Sequence, residues 1–198
     1  MARNREFDPA EALDKAMRVF WAKGYGGTSI EDLVSATGVS RYGLYGEFGG
    51  KNGLFLAALE HYRTHVIRPL LDTLERPDAS LPDIRALFDT LTTSLTQPGG
   101  EPGCLLFNAV HEMDVHDEAT AAQIAGLRES FAAGLRRMLY NAIRQGRLPV
   151  SYDAEREADF LFGVMHALPM LARAGAAPKV IENMVGVALS TLEPPPEN

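Results

Sequence analysis

The chain of 198 residues is 46% apolar with a mean hydropathy of −0.09, enough to bury roughly 70% of its unfolded surface in one domain, or in a small domain joined to a larger one. No stretch approaches the roughly 18 apolar residues of a bilayer span, and the opening MARNREFDPA lacks the apolar core of a signal peptide, so no membrane partner and a cytoplasmic location are expected. The net charge of −7 resides beyond residue 63, because the first 63 residues hold eight basic and eight acidic groups; charge is thus weak evidence against a nucleic-acid partner.

The pattern is helical nearly throughout, and the fold class is all-α with about nine helices. Leu13, Ala16, Met17, Phe20 and Trp21 recur at helical spacing and give the first helix one apolar face. Asp8 as N-cap, Pro9 at the first helical position and Glu11 start it, and Gly24 stops it. TSIE at 28–31 reads as a capping box for a second helix, with Ile30, Leu33 and Val34 inward and Gly38 as terminator. Ser40 suits the N-cap of a third, stapled by Val39 and Leu44. Two helices joined by about three residues around a glycine form the pattern of a helix-turn-helix.

Leu54, Phe55, Ala58, Leu59, Tyr62 and Val66 mark a fourth helix that kinks or ends near Pro69. Ile84, Leu87, Phe88, Leu91 and Leu95 mark the fifth. CLLFNAV at 104–110 is apolar on nearly every side and predicts a buried sixth. Ile124 to Ala142 carries a long seventh, closed by Gly146. The eighth holds Leu161, Val164, Met165 and Leu168, and the ninth begins at Pro178 and holds Ile181, Met184, Val185, Ala188 and Leu192. EPPPEN, at the end, reads as a disordered tail over 193–198.

The third helix is short and has little apolar surface, so its neighbours must dock it. Gly43 is expected to keep its outer face low, while Arg41, Tyr42 and Tyr45 offer donors suited to a major groove. Leu44 and Phe48 are expected to turn inward. Residues 8–55, from Gly24-Tyr25 through Thr28, Ile30 and Gly38-Val39-Ser40 to Leu44-Tyr45, Phe48 and Lys51, resemble the DNA-binding domain of TetR-family transcriptional regulators. The resemblance implies that Thr28, Ser40, Tyr45 and Lys51 bind the backbone of double-stranded DNA while Arg41, Tyr42 and Gly43 approach bases. It departs from the family at Gly46 and Glu47, where a bulky or basic residue is usual.

The resemblance further implies a DNA-binding domain over 1–52 and a helical ligand-binding and dimerisation domain over 53–192. A single recognition helix reads few bases, so a homodimer on a near-palindromic operator is expected, joined through the eighth and ninth helices. A small-molecule effector of unknown identity should sit among the fourth to eighth helices. Its candidate contacts are Tyr62, Phe88, Phe107, Asn108, His111, Phe131 and Met165, for each of which plain core is the alternative. Cys104 is expected in the first turn of the sixth helix, where the dipole would lower the thiol pKa. GCLL at 103–106 with Asn108 resembles a TetR subgroup in which a similarly placed cysteine senses oxidants or electrophiles; the alternative is a small buried residue.

Two glycine readings fail on spacing. Neither a phosphate-cradling G-x-x-x-x-G-K-[ST] nor a complete G-x-G-x-x-G is present near 24–53. HEMDVH at 111–116 is one residue too long for a zinc-protease face, and His61 with His65 lacks a third ligand. No catalytic residue, metal site or cofactor is predicted. The expected function is a ligand-responsive homodimeric repressor, and the alternative is a helical small-molecule-binding protein or enzyme without DNA binding.

Overall fold

The computed structural model describes residues 7–98, 103–112 and 118–193, and every regular element among them is helical. In chain order these are α1 (Pro9–Lys23), α2 (Ile30–Thr37), α3 (Arg41–Phe48), α4 (Lys51–Tyr62), a π-helical turn (Arg63–Ile67), α5 (Arg68–Glu75), α6 (Leu81–Thr96), α7 (Leu105–Val110), α8 (Glu118–Arg144), α9 (Ala154–Arg173) and α10 (Pro178–Ser190). The predicted fourth helix is thus one rod in two segments. Pro69 has no N–H to give the carbonyl four residues back, and the ladder widens into the π-turn just before it. The predicted fifth to ninth helices are therefore α6 to α10. The expected tail over 193–198 lies outside the described residues except for Glu193.

The N-terminal elements start and stop where local chemistry directs. Asp8 caps α1 by accepting from the Ala10 amide. Gly24, with φ 76 and ψ 173, ends it in a conformation open only to glycine. The capping box of α2 lies one residue later than expected. Ser29, not Thr28, is the N-cap, and Asp32 closes the box by accepting from the Ser29 amide. Lys23 and the Ser29 amide hold the Asp32 carboxyl well below its usual range. Thr28 instead turns inward and donates its hydroxyl to the Gly24 carbonyl at 2.6 Å. Ser40 caps α3 through the Gly43 amide.

Phe20, Leu33, Leu44, Leu54 and Phe55 are buried together and make the small core under α1 to α4. The ring of Phe20 meets Phe55 edge-on at 5.0 Å. Leu44 is the fully buried residue of α3 and Phe48 is half-buried, so this eight-residue helix is held by its neighbours. Gly53 leaves room for the Phe48 carbonyl, from which a Cβ would lie 1.8 Å.

In the larger unit α8 packs along α9 and α5, and α6 packs on α8, α9 and α10. Asn141 ties the turn before α6 to α8 by donating to the Pro77 and Ala79 carbonyls at 2.8 and 2.7 Å. The six residues of α7 are buried except for half-buried Val110, as its apolar composition predicts. Among the described residues no helix is long and apolar enough to cross a membrane.

Candidate nucleic-acid interface and effector cavity

The face that α3 turns outward is built from three side chains and a gap. Tyr42 is 77% exposed and Tyr45 47% exposed, and Arg41 extends beside them to an ion pair with Glu31 of α2. The shift of the α2 cap to Ser29 and Asp32 leaves Glu31 available for that pair. The low point of the face is Gly46, around which a Cβ would meet nothing within 4 Å. Gly43 has a different task from the one expected. Its missing Cβ would lie 2.8 Å from Val39 Cγ1 and 3.4 Å from the Phe7 ring, so it lets the start of α3 sit close to the core rather than lowering the outer face.

Of the four predicted backbone contacts, Tyr45 lies on the outward face of α3 and the other three separate in the structure. Ser40 is exposed, with its Oγ on the Gly43 amide. Thr28 is 2% exposed with its hydroxyl spent on Gly24, so its side chain offers no phosphate contact. Lys51, at the start of α4, lies with Nζ 4.2 Å from the centre of the Tyr25 ring. Burial there lowers its pKa, partly offset by the charge of Glu112.

The same Glu112 links the two units. Its carboxylate accepts from the Tyr25 and Gly26 amides at 2.7 and 2.9 Å, across more than eighty residues of chain. At Gly24 a Cβ would come within 2.9 Å of that carboxylate. Arg173, at the end of α9, donates to the Trp21 and Ala22 carbonyls at 3.1 and 3.2 Å. Nothing in the sequence pattern pointed to this role for Glu112 or Arg173, because both act through backbone groups far away in the chain.

A cavity of about 350 Å³ lies between α1, the α4–α5 rod, α6, α7, α8 and α9. Five of the expected effector contacts line it: Tyr62, Cys104, Phe107, Phe131 and Met165. Three do not. Phe88 points to the other side of α6 and is fully buried in the core, Asn108 is buried in α7 away from the cavity wall, and His111 is exposed, its ring 5.7 Å from that of His166. Sequence reasoning missed Trp21, which was read only as core. Its ring meets Tyr62 edge-on at 5.0 Å and its Nε1 donates to the Gly103 carbonyl at 3.0 Å. Gly103 itself is required. Its φ is 71 and a Cβ would lie 2.6 Å from the Pro169 carbonyl.

Cys104 corrects an expectation. It is the residue before α7, not part of its first turn. Burial pushes its thiol pKa up, and the Tyr62 hydroxyl with the Phe107 and Leu106 amides only partly counters this. Desolvation therefore outweighs the helix-end field, and the group is a protonated thiol at neutral pH. The Tyr62 hydroxyl, itself pushed up by burial, donates to Cys104 Sγ at 3.5 Å. The rings of His61 and His65 lie 4.0 Å apart and tilted by 30°, and no group of three metal-binding side chains occurs among the described residues.

Residues 12–58 match the family model "Bacterial regulatory proteins, tetR family", and residues 80–186 match "Tetracyclin repressor-like, C-terminal domain". The chain belongs to the TetR family. It is a helix-turn-helix regulator of transcription, with α2 and α3 as the helix-turn-helix. The HTH-type transcriptional regulator YezE of Bacillus subtilis is 33% identical over 98% of this chain and all of its own. The transcriptional repressor ComR of Escherichia coli is 31% identical over 98% of this chain and 92% of its own. Among solved structures, a cysteine mutant of the TetR-family regulator CifR in complex with a 26-base-pair operator duplex superposes with a TM-score of 0.82. It is 29% identical and covers 95% of this chain and 98% of that one.

Proposed function

We propose that this TetR-family regulator is a cytoplasmic, homodimeric repressor that leaves a near-palindromic operator when a small molecule enters the cavity. It acts by binding and not by catalysis. The observation that carries the reading is the double role of α1. The helix packs on α2 of the DNA-binding unit and along α4, while Trp21 near its end is a wall of the cavity. An occupant therefore touches the element that supports the helix-turn-helix. Residues 1–52 form the DNA-binding unit and 53–192 the effector and dimer unit, with α4 running from one into the other.

Within the DNA-binding unit, Arg41, Tyr42 and Tyr45 meet the major groove and the Ser40 end of α3 meets a phosphate. Arg41 must first leave Glu31, a solvent-exposed pair of small net worth. The operator duplex held by CifR supports DNA as the partner.

The dimer uses the outer faces of α9 and α10. Phe160, Val180 and Val187 are exposed, and with Val164, Met184 and Asn183 they line an apolar groove between the two helices. Gly163 and Gly186 have no neighbour within 4 Å of a built Cβ, so the surface is low enough for another helix to approach. A mobility-shift titration of an operator selected by the protein from random DNA tests the reading. A band formed by the wild type and weakened in Arg41→Ala is expected; no specific band at low salt would remove the proposal.

A further inference from the structure

The lining of the cavity has a definite chemistry. Among the described residues no charged side chain and no histidine contributes to it. Its body is Trp21, Leu87, Leu91, Phe107, Met165 and their neighbours. The exposed Val66, Pro69, Thr90 and Ser94 lie on the same wall and mark its mouth between α5 and α6. Most polar groups of the wall are already spent. Thr90 and Ser94 donate to the Ala86 and Leu91 carbonyls of their own helix, both at 2.8 Å. Trp21 Nε1 is spent on Gly103. What remains is the Tyr62 hydroxyl proton, donated to the thiol sulfur of Cys104 at 3.5 Å while its oxygen accepts from the Leu105 amide, and sulfur is a weak acceptor.

We propose, building on the effector-release reading, that the cavity takes an uncharged, largely apolar molecule carrying one oxygen acceptor for the Tyr62 hydroxyl, and that its contact with Trp21 carries occupancy to the DNA-binding unit. Size, charge and polarity each set a bound. The volume is about 350 Å³, roughly twice the ~150 Å³ of an engineered apolar cavity that admits one benzene, so an aryl-alkyl or two-ring body fits. A carboxylate or ammonium would lose its hydration with no counter-charge among the described residues of the wall. A carbonyl or ether oxygen is a better acceptor for Tyr62 than the sulfur it replaces, which fixes one end of the molecule near α7. The same end then lies beside the indole of Trp21, whose ring meets that of Tyr62 at 5.0 Å. Trp21 is held at its ring by Gly103 and at its carbonyl by Arg173, so displacing the ring loads α1 directly.

The test uses the intact protein and four probes of nearly equal size: 4-phenylbutan-2-one, butylbenzene, 3-phenylpropionate and 3-phenylpropylamine. Trp21 is the sole tryptophan, so its emission reports occupancy of the wall, and calorimetry gives affinity. The ketone is expected to bind saturably and shift the emission, with butylbenzene weaker by about fivefold for the missing hydrogen bond. The two ions should be at least about a hundredfold weaker than the ketone. Tyr62→Phe should bring the ketone down to the hydrocarbon and leave the hydrocarbon unchanged. Carboxylate or amine binding as tight as the ketone would overturn the proposal, as would an unshifted Trp21 emission at saturation. Release of the selected operator is read in parallel. If the ketone binds and shifts Trp21 but DNA stays bound, the ligand class stands and the effector-release reading fails, taking the Trp21 route with it. If an ion binds and releases DNA, the release reading stands and the ligand class fails. Trp21→Phe, followed by calorimetry, should keep most ketone affinity and lose most of the release; full release from that variant removes Trp21 as the route.

Discussion

Replacing Glu112 with alanine removes a carboxylate that holds the loop between α1 and α2 from the opposite unit. Two charge-assisted bonds are lost, to the Tyr25 and Gly26 amides. Each would contribute about 1.5–3 kcal/mol if fully buried. Here Gly26 is exposed and Tyr25 and Glu112 are half-buried, so water recovers much of that. The net loss expected for the pair is about 1–2 kcal/mol. For a chain of this size that lowers the thermal midpoint by roughly 3–6 °C. Glu112→Gln, which keeps an acceptor and loses the charge, should cost about half as much. Gly24→Ala attacks the same contact from the other side. It puts a side chain at φ 76 and 2.9 Å from the carboxylate, and should lower the midpoint at least as far as Glu112→Ala. Calorimetric melting of the three variants at fixed protein concentration decides the matter. An unchanged midpoint in Glu112→Ala would show that the carboxylate is hydrated in solution and that the two units are not joined there.

Arg41→Ala is expected to weaken operator binding by about 1–3 kcal/mol and to relax selection at one base position if the guanidinium reads a base; a mere reduction of the salt slope would place it on phosphate instead. Glu31→Gln frees Arg41 from its intramolecular partner and should raise operator affinity by up to about fivefold, with no gain if the pair survives in the complex. Val187→Glu puts a charge into the α9–α10 groove and should turn the dimer into monomers in sedimentation; a dimer of unchanged affinity would move the interface elsewhere. Cys104 should react with maleimide far more slowly than free cysteine at neutral pH, because burial raises its pKa and keeps it protonated. As the pH climbs above the ordinary thiol range, the unfolded chain loses this proton before the folded one does, so stability should fall there in the wild type and less in Cys104→Ser. Rapid labelling at neutral pH would contradict the burial argument.

The helices were legible because their signals are local. Phe20, Leu33 and Leu54 each belong to an apolar set at helical spacing in their own helix, Gly24 and Gly38 end their helices, and Ser40 caps where a cap was expected. The misread α2 cap shows the limit of such signals. Thr28 and Ser29 are both good cap residues, and the choice between them is made by the burial of Thr28 against Gly24, a tertiary event. The candidate effector contacts divide for the same reason. A helix such as α6 has apolar groups on two sides, and periodicity alone cannot say that Leu87 meets the cavity while Phe88 meets the core. Trp21 carried an ambiguous signal, an aromatic residue at the edge of a core face. For Cys104 the reading as a small buried residue holds and the lowered thiol pKa does not, because helix position suggests a field whereas only packing reveals how much water has been removed. The tie made by Glu112 and Arg173 left no sequence trace, since their partners are backbone groups; Glu112 was met only inside the rejected HEMDVH motif.

Operator binding as a function of salt, with the stoichiometry of the complex measured on the same samples, bears on the whole reading at once. Two protomers per duplex and a log K that falls linearly with log salt, by about 0.9 for each phosphate neutralised, are predicted. A strictly monomeric protein, with the same weak and sequence-independent affinity for every duplex at low salt, would contradict it.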